Sequence, residues 1–267
     1  MRFQEIFESA DEDRAIISLS SAIYEKLQEF QPKVTPYNAP KKTYNFGKIG
    51  DLFSTSIPVM DDIYVKIQAD KEIWKHGGGP VLRPTRDPDK KYIGGLWDPD
   101  EYSVVFNENW LKSNYMKTVI THELRHALDD VKTDFRAGES KRYFSGVNRH
   151  KYIVKPPLNE PPITHDEYLV QPGEVNARFS EVLHGMTMAI RRAYGLPPEN
   201  IKPYIMQSLR DNMATKQVAD LFPHGKDSSQ YKRLMKRALE FIKKEMAHHE
   251  QLLAKQGRPK HALGTFA

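Results

Sequence analysis

Two histidines four residues apart enclose a glutamate in Thr121-His122-Glu123-Leu124-Arg125-His126-Ala127-Leu128. Positions four apart on an α-helix lie about 40° from one another around the axis, on one face. Imidazoles so placed converge on one divalent ion, and zinc takes neutral imidazole nitrogens at about 2.0–2.1 Å in a tetrahedral arrangement. Glu123 stands beside the pair, where its carboxylate reaches a metal-bound water rather than the metal. The chemistry that H-E-x-x-H serves is metal-assisted hydrolysis: the ion brings the pKa of water to about 7 and polarises a carbonyl, and the glutamate moves the proton.

Two histidines do not complete a catalytic zinc site, which needs a third protein ligand and a position left for water. The chain contains no cysteine, so that ligand is His, Asp or Glu. Glu174, 48 residues beyond His126 at the start of the next expected helix, is the leading candidate. Glu181 shares its face one heptad on and is the main rival; His150, His165 and His184 are weaker ones. A glutamate at a helix start also has a plain electrostatic use, favouring the positive end of the helix dipole. Asp129, three residues after His126, is placed either to orient an imidazole or simply to be solvated in the last turn. Arg125 and Arg178 are cations available to a substrate carboxylate.

The elements that must hold these groups follow from periodicity. Met116, Ile120, Leu124, Ala127, Leu128 and Val131 form an apolar stripe away from the histidines, within a helix expected over 109–131. One face then packs and the other presents ligands. Before it, Tyr92–Trp97 and Tyr102–Asn107 flank an Asp-Pro turn signal and predict a hairpin. Residues 63–67 alternate as a strand. Residues 132–167, rich in proline, glycine and asparagine, read as a long loop of the kind that borders active sites. Helices are expected over 11–30, 173–194, 199–212, 214–222 and 228–254.

An H-E-x-x-H helix followed by a later helix opening as Tyr168-x-x-x-Pro172-x-Glu174-x-x-Ala177 resembles the gluzincin metallopeptidases. It is most similar to small zincins of the lethal-factor-like kind and to metallopeptidases carried by tailed phages. The resemblance covers roughly residues 90–195. It implies zinc held by His122, His126 and Glu174, with Glu123 as general base and Tyr168 stabilising the oxyanion. It further implies a sheet edge strand, Tyr92–Trp97 or Tyr102–Asn107, pairing with substrate backbone. The pattern departs from the family at Arg178, where a second acid is usual, and at Tyr168, which is offset by one residue.

The fold expected is α+β. Residues 1–89 would form an N-terminal helix and irregular β segment packing on the core. Residues 90–195 would be a zincin-like core of small twisted sheet, H-E-x-x-H helix and ligand-bearing second helix. Residues 196–267 would be a helical, basic C-terminal extension.

Formal net charge is +5, and the stretch from Lys226 to Lys260 holds ten Lys/Arg against four Asp/Glu. Such a segment contacts nucleic acid or an acidic partner, or else is the solvated face of a packed helix. Tyr231, Met235, Ala238, Ile242 and Met246 give that helix an apolar stripe of its own. No apolar run is long enough for a membrane span, and the first residues carry no signal-peptide pattern. A soluble, cytoplasmic protein acting on a protein or peptide is expected, in the host cytoplasm or virion if phage-encoded. The alternatives are a zincin-fold structural component with little catalysis, such as a virion part, and a basic protein that contacts nucleic acid.

Overall fold

The computed structural model describes residues 10–29, 43–54, 57–68, 94–98, 101–113, 115–132, 172–222 and 225–256, and its architecture is α+β. Two compact units make up the chain. One comprises the chain to Ile17 together with Arg178 onward; the other runs from Ser18 to Ala177.

The Ser18–Ala177 unit holds a four-stranded mixed sheet in the order β1-β2-β4-β3. Its strands are β1 (Thr43–Lys48), β2 (Tyr64–Gln68), β3 (Gly95–Asp98) and β4 (Ser103–Asn107). β1 and β3 run antiparallel to their neighbours, and β2 pairs with β4 in parallel. β2 alternates, with Val65 and Ile67 buried between half-buried neighbours. β4 is buried at every residue, the pattern of an interior strand covered on both faces. Tyr102–Asn107 is therefore not an edge. Of the two segments expected to pair with substrate, only Gly95–Trp97 lies at an edge among the described residues, and Tyr92 lies outside them.

The β3–β4 connection turns where Asp98 Oδ1 accepts the Glu101 backbone N–H at 3.2 Å and Tyr102 adopts a left-handed φ of 50°. Gly94 and Gly95 admit a close approach. A Cβ on Gly94 would stand 2.8 Å from Val119 Cγ2, and one on Gly95 2.8 Å from Phe106 Cδ1 and 3.1 Å from Val119 Cγ1. Val119 belongs to the histidine-bearing helix, so these two glycines set how near β3 comes to it.

That helix, α3 (Met116–Lys132), follows α1 (Ala10–Gln28) and the single turn α2 (Ile49–Leu52). It begins at Met116 rather than near 109. Glu108–Trp110 winds one 3-10 turn instead. Ser113 then takes over the orphan donors: its carbonyl accepts Met116 N–H at 3.0 Å and its Oγ accepts Tyr115 N–H at 3.2 Å. A serine bonding to nearby backbone competes with helix and favours a helix start. The apolar stripe of α3 packs as expected and the two histidines share the other face, but that polar face is itself largely buried. Ile120, Thr121 and every residue from Glu123 to Asp130 are buried. Strand β3, the second half of α1 and the start of the next helix each cover part of the polar face; Thr121 Oγ1, for example, donates to Ser20 Oγ at 3.0 Å.

The other unit is helical. It contains most of α4 (Pro172–Ala193), then α5 (Pro198–Met213), the short α6 (Lys216–Ala219) and α7 (Ser229–Lys255). Ser228 caps α7 by accepting Tyr231 N–H at 3.2 Å. The buried stripe of α7 is Leu234, Ala238, Phe241, Ile242, Glu245 and Met246. The opening turns of α1 lie along it: Asp13 accepts from Arg237, Arg14 Nε donates to Glu245 at 3.1 Å, and Asp11 pairs with Lys244 at 2.7 Å. Lys232, Arg233, Lys236 and Lys243 remain exposed on the other side. Among the described residues no helix is long and apolar enough to cross a membrane.

Candidate metal centre

The site lies within the Ser18–Ala177 unit. α3 places His122 and His126 one turn apart, and their Nε2 atoms stand 3.0 Å from each other with ring centroids 4.7 Å apart. Glu174, in the first turn of α4 and 2 % exposed, brings Oε2 to 3.4 Å from His126 Nε2 and 3.7 Å from His122 Nε2. A tetrahedron with metal–ligand bonds of about 2.0–2.1 Å has edges of about 3.3–3.4 Å. The three edges bracket that value, so the spacing of the three atoms is one that could hold a divalent ion. Among the described residues this is the group of histidines and carboxylates with the spacing to hold a metal.

Glu123 is buried, and desolvation pushes its carboxyl pKa up. The nearby Glu174 carboxylate adds to the rise, while the two imidazoles and the Trp97 main-chain N–H oppose it. Trp97 thus reaches the α3 helix twice. Its backbone donates to the Glu123 carboxylate, and its indole Nε1 donates to Asp130 Oδ2 at 2.9 Å. Burial likewise raises Asp130, an effect the indole bond counters. Edge strand β3 is in this way fixed against the residue expected to move protons.

Asp129 is not a solvated acid. Its side chain is fully buried, Asn176 Nδ2 donates to its Oδ2 at 3.1 Å, and Arg125 Nε lies 2.9 Å from its Oδ1. The Arg125–Asp129 contact is close but poorly aligned for a hydrogen bond, so charge holds it. Arg125, fully buried in this pair, is placed for packing and not for a substrate carboxylate.

Of the rivals for third ligand, Glu181 belongs to the helical unit and accepts from Arg178 Nη1 at 3.2 Å. His184 is buried in that same unit. His150, His165 and Tyr168 lie outside the described residues. Sequence reasoning missed Trp97, Asp130 and Asn176. Adjacent acids at 129–130 on the histidine-bearing helix were the available signal, but their partners come from distant parts of the chain.

The chain matches no family model, no curated protein and no solved structure.

Proposed function

We propose that this chain is a zinc-dependent hydrolase of the zincin type, acting as a metallopeptidase on a protein or peptide. The observation that carries the reading is the triangle of His122 Nε2, His126 Nε2 and Glu174 Oε2, with edges of 3.0, 3.7 and 3.4 Å. Two imidazoles and one carboxylate are the donor set of hydrolytic zinc sites that keep a position for solvent. Zinc bound there supplies a Lewis acid that acidifies water and polarises a carbonyl.

The remaining steps belong to the chain's own residues. Glu123 takes a proton from the attacking water and delivers it to the leaving amine. Burial raises its carboxyl pKa above the ordinary carboxylate range, the direction that makes a carboxylate a stronger base. The Trp97 N–H orients the same carboxylate from the edge strand. β3, at the sheet edge among the described residues and half-buried beside α3, offers main-chain groups to an extended substrate. Tyr168 is the proposed oxyanion donor on the strength of the resemblance alone.

The test is cleavage of a degenerate peptide library by the zinc-loaded protein and by its Glu123→Gln variant. New peptide termini are expected with the wild type and not with the variant. Equal patterns from both would refute peptidase chemistry at this site, and an intact library with a zinc-loaded wild type would favour a structural metal.

A further inference from the structure

The histidines and Glu174 sit on different helices, α3 and α4, and α4 must be held in one rotation and one register for Glu174 to meet the two rings. We propose that Asp129 and Asn176 form the lock that sets this register, which makes both positioning residues for the third metal ligand. The inference rests on the metal reading above.

Three observations carry it. The first is connectivity. Asn176 stands two residues after Glu174 in the opening turn of α4, and Asp129 three residues after His126 on α3, so the 3.1 Å bond between them joins the two ligand-bearing helices next to the ligands. Glu174 and Asn176 leave α4 about 200° apart around its axis. Two contacts on different sides of the Pro172–Ala177 turn, both made to α3, fix the rotation as well as the slide of that turn.

The second is division of labour on the Asp129 carboxylate. Oδ1 faces Arg125 and Oδ2 accepts from Asn176. The arginine occupies one oxygen of the fully buried carboxylate, and the second oxygen is left to accept from α4.

The third is energetic. A buried Arg–Asp pair adds little net stability, because desolvation offsets attraction, and apolar residues of like volume often serve as well. Register is the best-attested use of such pairs. Here the pair brackets His126, and its acid meets Asn176 on the ligand helix.

The test compares wild type, Asn176→Ala, and the double variant Arg125→Met/Asp129→Leu, which removes the ion pair while keeping volume. Zinc affinity is measured by chelator competition, site geometry by the visible d–d spectrum of the cobalt-substituted protein, and folding by the thermal midpoint of the metal-free protein. Both variants are expected to melt near the wild-type midpoint, to bind zinc about 10–100-fold more weakly, and to show an altered cobalt band. Asn176→Gln, which keeps an amide donor, is expected to recover part of the affinity. Unchanged affinity and cobalt spectrum in the folded variants would overturn the lock, as would a lowered metal-free midpoint without loss of affinity. Should the wild type itself take up no metal, the metal reading fails and the lock with it, an outcome distinct from a zinc-binding wild type whose variants bind equally well.

Discussion

Two pairs of histidines in this molecule show what spacing does. His122 and His126, four apart on α3, turn their Nε2 atoms to within 3.0 Å, with a buried carboxylate from α4 closing on them. His248 and His249, adjacent on α7, leave the helix about 100° apart and cannot share an ion. His249 instead lies edge-on to Tyr194, ring centroids 4.6 Å apart, and the Tyr194 hydroxyl reaches Glu250 Oε1 at 3.2 Å. Burial lowers the pKa of both His248 and His249; the Arg14 charge adds to the first and the Arg191 charge to the second. Their charged form is disfavoured, as metal ligation requires of an imidazole, but they lack convergence. What makes the first pair a candidate metal centre is its register along the helix and an acid supplied from elsewhere, and not imidazole content.

The largest expected effect breaks that contrast directly. His122→Ala or His126→Ala should abolish zinc binding, whereas His248→Ala and His249→Ala should leave its stoichiometry unchanged, as read by elemental analysis of dialysed protein. Stripping the metal should also destabilise the Ser18–Ala177 unit. At a free zinc concentration a hundredfold above Kd, the bound ion contributes about 2.7 kcal/mol, visible as a lower first melting transition after chelation.

Next is Glu123→Gln. It removes a proton carrier and keeps an isosteric amide, so zinc should remain while peptide cleavage falls by about 10²–10⁴-fold. A variant that lost both would make Glu123 a structural acid.

Smaller is the effect of Gly95→Ala. Its new methyl would meet Phe106 Cδ1 at 2.8 Å and Val119 Cγ1 at 3.1 Å, pushing β3 from α3. The expected destabilisation is about 1–3 kcal/mol by urea unfolding. Peptidase activity should fall further than stability explains, because Trp97 would no longer address Glu123.

The smallest effect concerns the second histidine pair. The folded-state pKa values of His248 and His249 lie below their unfolded values, so the unfolded chain binds these protons more readily. Their contribution is complete above about pH 6.5 and declines as pH falls from there toward the folded-state pKa. His248→Gln with His249→Gln should flatten that part of the stability–pH curve, measured by urea unfolding between pH 7.5 and about 5.

How much of this was legible in the sequence differs by the range of the interaction involved. The H-E-x-x-H face and the helical rank of Glu174 are local matters of periodicity, and the structure gathers those three residues into one cluster. The ends of α4, α5 and α7 fall within two residues of their expected limits because proline, glycine and serine mark them locally. The late start of α3 escaped because Ser113 captures backbone donors that apolar spacing does not register. The burial of the polar side of α3 escaped for another reason. Asp129 meets Asn176 and Asp130 meets Trp97, 47 and 33 residues away, and only tertiary pairing sets those meetings. The sheet edge was undecidable for the same reason, since nothing local to Tyr102–Asn107 announces that β2 would lie in parallel beside it.

The most direct test of the central claim is native mass spectrometry of zinc uptake by wild type, Glu174→Ala and Glu181→Ala. One zinc per chain is expected in the wild type and in Glu181→Ala, and none in Glu174→Ala. A full complement of zinc in Glu174→Ala, with loss in Glu181→Ala, would contradict the assignment of this site.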